Sequence, residues 1–492
     1  MEWEVYGMLT FEPYSVEKLH EYRCFLQCGK HFPASDLSAG SLILWNAGTD
    51  MQFCLWNDTF VIRQNVGDQP AFTYPVGKDP SGMVDELIQY VREENLPLRF
   101  YPVSAEQVEE LRKDPRIRCA MDSYDRRWSD YLYSFEETKT FAGKKYSGQR
   151  NHINKFRKLY GEPKARLLTP EDGPKLEAML RHYEEEHRDA NQLEKIELAS
   201  SKNLLALSGD FRMITAGLEV GGEIAAFSIA EIVGDMLVIH VEKALLKYEG
   251  AYPTMYNGLV RLVDALFPGK CTLINREDDS GDPGLRTSKQ QYHPVGMVDK
   301  YLVHVNTPAY AVGQDIILPA GPVVLTRIRP EDKHACFVLN TDEENNRYWG
   351  YDYREDVSLT GPVCEGLFYH SILHDNDCGD SVNFAIRETE DGEMIGEGIL
   401  WQFTSRGDVE IGCRILPAYQ GHGYGVAAFR AMARYASQTL GLNCKARCYR
   451  ENQPSYHMIL DSGFAVDRED EDFYHFVYRT ESPQTINETE IK

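Results

Sequence analysis

The stretch from Glu410 to Gly425, EIGCRILPAYQGHGYG, decides the reading of this 492-residue chain. A strand-like run, Val409 to Leu416, stops at Pro417. Gln420, Gly421, Gly423 and Gly425 follow, and then an amphipathic helix with apolar residues at Val426, Phe429, Met432, Ala433 and Ala436. Glycines at a strand-to-helix turn let a ligand approach the backbone closely, and the first N–H groups of the helix have no partners of their own. Those donors, at the positive end of the helix dipole, suit a phosphate or pyrophosphate. An isolated GxG is weak evidence. Gln-x-x-Gly-x-Gly behind a strand that carries a carboxylate is far more specific.

That motif resembles the coenzyme A loop of the GNAT acyltransferase family, and the likeness continues from Val323 to about Thr480. A strand at Val323 to Arg329 leads to a helix near Pro330. Strands at Val382 to Arg387 and Ile395 to Phe403 are joined at Asp391-Gly392. The signature helix ends at Gly441. A short strand, Cys444 to Tyr449, precedes Asn452-Gln-Pro-Ser455, which reads as a helix cap, and Gly463-Phe464 closes the segment. The aromatic run Arg347 to Tyr353 and the Asn452-x-x-Ser455 spacing are most similar to the ribosomal-protein acetyltransferase branch. The resemblance implies acetyl-CoA as co-substrate, without a metal. Its holders would be Ile415, Gln420, Gly421, His422, Gly423, Tyr424 and Gly425, with Asn452 nearby.

An amine acceptor is mostly protonated at neutral pH, since alkylammonium pKa values lie near ~10. A base must therefore remove a proton before attack on the thioester. Glu410 is the first candidate, against the plain alternative of a solvent-facing strand carboxylate. Asp470, Glu471 and Asp472 are alternative bases or a surface charge run. A backbone N–H near Ile415 would meet the oxyanion. The family's tyrosine seven residues after the motif asparagine is replaced by Ile459. Ser455, with Tyr456 behind it, is the substitute proton donor, unless it only completes the cap. Trp349 and Tyr351 in the aromatic run are candidate acceptor contacts through their faces, or parts of an ordinary packed loop.

A degenerate copy of the same plan precedes this region. Arg212 to Glu219, Ile224 to Val233 and Met236 to Lys243 read as strands. The loop LLKYEGAYP then leads to a helix with Met255, Leu259, Leu262 and Leu266 on one face. Placing Lys243 on Arg414 without gaps puts Gly250 on Gly421, sets Tyr252 and Thr254 opposite Gly423 and Gly425, and sets Ile239 opposite Glu410. Order and spacing make this an internal repeat. The second approach to a pyrophosphate is then blocked, so the copy is not expected to use coenzyme A.

Two further segments, Gly143 to Phe156 (GKKYSGQRNHINKF) and Gly284 to Pro294 (GLRTSKQQYHP), resemble the C-terminal domain of phosphatidylglycerol lysyltransferases. That resemblance implies an α+β architecture of tandem GNAT-like units, each a mixed, mostly antiparallel sheet flanked by helices, with a third unit in about the first 135 residues. The implied division is 1–305 (units at about 1–135 and 136–305), a linker at 306–322, the acetyltransferase domain at 323–480, and a polar tail at 481–492. Arg150, Arg286 and Lys289 are candidates to grip a phosphate or carboxylate of a donor such as aminoacyl-tRNA. The alternative is a solvated face paired with acidic neighbours.

Composition narrows the setting. A net charge of −24 disfavours DNA and anionic lipid and suits amine-bearing partners, whether a small molecule or a protein N-terminus. No run of about 18 apolar residues occurs, and the first residues lack a signal-peptide pattern. The 11 cysteines form no CxxC pair and no zinc spacing. A cytoplasmic protein with reduced thiols is the expectation.

Overall fold

A computed structural model describes residues 9–27, 33–46, 49–188, 192–354 and 363–479; the tail expected at 481–492 lies outside them. The chain is α+β, with three mixed, mostly antiparallel sheets flanked by helices. It splits into two compact units. One holds residues 1–86, 101–107 and 124–302, and the other 87–100, 108–123 and 303–492. Among the described residues no helix is long and apolar enough to cross a membrane.

In the second unit the sheet is an antiparallel meander: Ile317–Ala320, Val323–Arg327, Ser381–Arg387, Gly396–Trp401 and Asp408–Ile415. The last of these pairs in parallel with Asn443–Tyr449, which is flanked by Phe473–Tyr478 and Phe464–Glu469. For the five strands bounded from the sequence, the observed bounds fall within two residues of the expected ones, because period-2 patterns bounded by Gly and Pro fix strands well. The signature helix, Tyr424–Arg434, continues as a wide turn at Tyr435–Thr439 and lies on the sheet through Phe429, Met432, Ala433 and Ala436. Gly398 makes that close packing possible, since a Cβ there would sit 2.5 Å from the Met432 sulfur. The segment read as a linker has structure of its own. Ile317–Ala320 is an edge strand, where Pro319 is tolerated, and Ala309, Val312 and Ala320 are buried in this unit's core.

In the first unit the repeat is visible in the backbone. Ile214–Val220, Glu223–Val233 and Met236–Ala244 run antiparallel, and the third pairs in parallel with Leu273–Asn275. Asp130–Ser134 then takes the place held in the other unit by Phe473–Tyr478. The helix Ala251–Leu266 covers this sheet through Met255, Tyr256, Leu259 and Val260. Four strands of a separate sheet, Glu12–Pro13, Gln52–Trp56, Thr59–Val66 and Gln69–Phe72, share a core with it that includes Phe53, Phe60, Phe227 and Ile229.

A buried polar knot also links these parts. A bulge in the strand pairing leaves His240 as an extra residue between Ile239 and Val241. Its ring meets Glu277 at 2.8 Å and Glu231 at 3.1 Å. Gly40, near the start of the helix Ala39–Trp45, donates to Glu231 at 2.7 Å, and a Cβ at Gly40 would collide with the His240 ring at 2.3 Å. Burial opposes a charged ring, but the bonds to Glu231 and Glu277 outweigh it and raise His240 to about 9. A raised pKa stabilises the fold fully below the unfolded value of ~6.5, and that contribution fades as pH climbs through about 9. Thermal melts should therefore show a falling Tm between pH 6.5 and 9. In His240→Gln the Tm should be lower at pH 6.5 and the slope over this interval flatter. An unchanged slope would place the pH sensitivity elsewhere.

Candidate active site

The signature strand and its parallel neighbour stay paired only through Asp408, Val409 and Glu410, opposite Asn443, Cys444 and Lys445. Beyond Glu410 they part, although one strand runs on to Ile415 and the other to Tyr449. The far edge of Ile411–Ile415 is thus left without a strand partner among the described residues. Leu416 N–H donates to Ile395 O at 2.9 Å, so alternation turns the Ile415 N–H toward the opened edge. The Ile415 carbonyl on the same edge accepts from Gln420 Nε2 at 3.0 Å.

The loop ends at Gly423, whose left-handed backbone (φ 79°, ψ 2°) directly precedes the helix Tyr424–Arg434. Nothing lies within 4 Å of a Cβ built on Gly421 or Gly423, so the face of this turn is open. His422 stacks on Tyr424, and the Tyr424 hydroxyl donates to Glu388. Asn452 caps the helix Gln453–Asp461 by accepting from Ser455 N at 3.2 Å. Ser455 thus lies in the first turn of that helix, and its backbone N–H, not its hydroxyl, serves the cap.

Glu410, Gly412 and Arg414 share the other face of the signature strand. Trp349 lies over it, against the Gly412 position at 3.1 Å and 4.6 Å from the Arg414 guanidinium. Arg414 is nearly fully buried. It binds Glu397 at 2.7 Å, Asn340 at 3.0 Å, Asn346 at 2.7 Å and the Leu339 carbonyl at 3.0 Å, which ties the helix Lys333–Thr341 to the sheet. The aromatic run is thereby brought to the Glu410 face, with Tyr348 beside Tyr449 and Tyr351 one residue beyond Gly350. Glu410 pairs with Arg447 at 3.1 Å. Burial raises its pKa above the ordinary value, and Arg447, His475 and Lys445 pull the other way. His475 is held by Asp470 at 2.6 Å. Asp470, read as an alternative base, is held well down, to about 2, chiefly by its bond to His475. Arg447 and Arg414, which the structure brings to this face, are not among the sequence candidates. Alternation along Asn443–Tyr449 does put Arg447 on one face with Lys445, but only the sheet order shows that Glu410 shares it.

The equivalent place in the first unit is shut. Gly250 (φ 82°, ψ 8°) precedes the helix Ala251–Leu266 and so corresponds to Gly423, not to Gly421 as the ungapped comparison has it. The loop is shorter, so Tyr252 stands opposite Gly425. Thr254 falls inside the helix, and the end of the parallel pairing sets Val238, not Ile239, opposite Glu410. A Cβ at Gly250 would sit 2.6 Å from the His152 carbonyl of the helix Ser147–Tyr160. Tyr160 closes the same loop, accepting from Glu249 N–H at 3.3 Å and donating to the Lys247 carbonyl at 3.2 Å. Where the strands part, Arg276 is bound to Glu242 and enclosed by the rings of Tyr133, Tyr256 and Tyr292 at 5.6, 4.2 and 4.7 Å.

The two basic segments do pack together. Gln149 donates to the Gln291 carbonyl at 2.6 Å, and His293 meets the Lys145 carbonyl at 2.9 Å. Their arginines nevertheless have separate partners. Arg150 caps the Phe141 and Gly143 carbonyls, whereas Arg286 forks onto Asp279, which also receives Arg126 and Tyr131. Lys289 is buried, with its ammonium on the Arg276 and Asp278 carbonyls.

Two family models match the chain. The model of the phosphatidylglycerol lysyltransferase C-terminal family matches residues 31–304, over half of the chain, and that of the GNAT acetyltransferase domain matches 323–465. A crystallised conserved protein of unknown function from Bacteroides thetaiotaomicron is 26% identical with a TM-score of 0.56, covering 61% of this chain and 100% of its own. An uncharacterised protein of Mycoplasmoides gallisepticum is 25% identical over 178 residues, 36% of this chain and 56% of that relative's length. The uncharacterised N-acetyltransferase YoaA of Bacillus subtilis is 23% identical over 150 residues, 30% of this chain and 82% of the relative. The chain belongs to the phosphatidylglycerol lysyltransferase C-terminal family and carries a GNAT acetyltransferase domain after it.

Proposed function

We propose that this protein is a cytoplasmic acyl-CoA-dependent N-acyltransferase whose 323–480 domain moves an acetyl group from acetyl-CoA to an amine by direct attack. One observation carries the proposal: the open glycine turn beside the parted strands, set against the closed counterpart at Gly250. In this reading the N–H groups of the turn and the start of the helix Tyr424–Arg434 receive the pyrophosphate. The Ile415 N–H meets the thioester oxygen as charge develops on it. Glu410 takes the amine proton, the amine nitrogen bonds to the acetyl carbon, and the carbon–sulfur bond breaks to release coenzyme A. Ser455 is the proposed proton donor for the leaving thiolate. Trp349 and Tyr351 frame the acceptor, an amine-bearing small molecule or a protein N-terminus.

The 1–305 region then shapes substrate access or recruits a partner. A second reading, aminoacyl transfer from aminoacyl-tRNA, is favoured by the family match over 31–304 and by the packing of its two basic segments. Titration calorimetry of the full chain separates the two. One acetyl-CoA should bind per chain, and thiol release should appear only when an amine such as a polyamine or a short peptide is added. Two equivalents of bound acetyl-CoA would overturn the closed reading of the Gly250 loop. Binding of charged tRNA without acetyl-CoA binding would favour the second reading.

A further inference from the structure

We propose that Arg447 is a positioning residue for Glu410, holding one carboxylate oxygen so that the other faces the incoming amine. The inference rests on the reading of Glu410 as the base. Arg447 Nε lies 3.1 Å from Glu410 Oε1, and no described residue hydrogen-bonds to Oε2. The ion pair closes most tightly at Oε1, which orients the carboxylate and leaves Oε2 without a hydrogen bond among the described residues.

The arginine is itself fixed. Its guanidinium lies 5.6 Å from the Trp401 ring and 5.3 Å from that of Phe473, and its strand position is paired with His475. Trp401 stands opposite Glu410 in the neighbouring strand, so one aromatic wall serves both members of the pair. Planar faces hold a planar cation well, and a flexible ammonium much less so.

The charges around Glu410 make Arg447 the decisive neighbour. From the strand Asn443–Tyr449 come Lys445 and Arg447; from Phe473–Tyr478 comes His475. On its own strand Asp408 and Arg414 share its face. Lys445 is engaged by Asp408, His475 by Asp470, and Arg414 by Glu397. Among the described residues only Arg447 is paired to Glu410 itself. Burial alone would favour the protonated acid, which cannot act as a base. Arg447 opposes that effect in favour of the carboxylate, and its positive charge also disfavours an ammonium and favours the neutral amine that attacks.

The test is a ¹³C NMR titration of the full chain labelled at glutamate Cδ, with the Glu410 resonance identified by its loss in Glu410→Gln. In Arg447→Gln the midpoint should rise by about one pH unit or more, the size of effect an adjacent arginine has on a carboxylate. Arg447→Lys, which keeps the charge, should stay nearer to wild type. The acidic limb of the rate of thiol release from acetyl-CoA should move with the midpoint, with the KM for acetyl-CoA unchanged. An unmoved midpoint in Arg447→Gln overturns the proposal, as does a rate lowered equally at every pH. If the wild-type chain releases no thiol with any amine, the acyltransferase reading fails, and the titration still decides the role of Arg447.

Discussion

Replacing Gly423 by glutamate is expected to abolish acetyl-CoA binding by the full chain, a loss of at least about 100-fold. A like charge set against an anionic ligand costs several kcal/mol, and about 1.4 kcal/mol is a factor of ten. The substitution also forces a side chain into a left-handed conformation at φ 79°, which costs roughly 1–2 kcal/mol. Because nothing lies within 4 Å of the added Cβ, the free protein has room for it, and the loss reports the ligand rather than a clash. Gly423→Ala separates the two effects, since it carries the strain without the charge and should weaken binding only modestly. Calorimetry on the three proteins is sufficient. Undiminished affinity in Gly423→Glu would mean that the pyrophosphate does not lie at this turn.

Glu410→Gln should leave acetyl-CoA affinity unchanged and lower turnover at neutral pH by roughly 10²- to 10⁴-fold, the usual contribution of a positioned general base. Burial raises the Glu410 pKa. The wild-type rate should therefore fall, as pH drops, at a value above the ordinary carboxylate range near ~4.3. In the variant that limb should vanish, and activity should recover partly at high pH as the amine loses its own proton. Steady-state rates between pH 5 and 10 check both points. If activity survives in full, the proton leaves by another route, and His475 with its Asp470 partner becomes the next group to remove.

Much of the second unit was legible because its elements carry local signals. Asp408–Ile415 alternates and stops at Pro417, Tyr424–Arg434 has a single apolar face, and Asn452-Gln-Pro-Ser455 is a cap written in side chains. The segment 306–322 was harder, since small residues and prolines look alike in a connector and in an edge strand. Only its pairing with Val323–Arg327 distinguishes them. The repeat in the first unit could be found by order, but not aligned by counting. A bulge at His240 and a shortened loop cancel in part, and the left-handed glycine before each helix gives the true correspondence.

What could not be read was non-local. The His152 carbonyl against Gly250 comes from a helix about 100 residues earlier, and nothing in either segment announces the other. The pairing of Arg447 with Glu410 depends on two strands meeting in parallel across a whole helix. Trp349 is a candidate from the aromatic run Arg347 to Tyr353. Its place over Gly412 depends on Arg414, whose buried hydrogen bonds fix the helix that carries the aromatic run into the site.

Hydrogen–deuterium exchange of the full chain with and without acetyl-CoA tests the central claim most directly, because it reports both glycine turns in one experiment. Ligand should slow exchange in peptides covering Ile411–Val426 and Asn452–Met458, where the unpaired strand edge, the open turn and the helix start offer their N–H groups. Peptides covering Ala244–Tyr256 should exchange identically in both samples, since that turn is already closed by the His152 carbonyl and Tyr160. Protection at Ala244–Tyr256, or none at Ile411–Val426, would contradict the assignment of the acyl-CoA site.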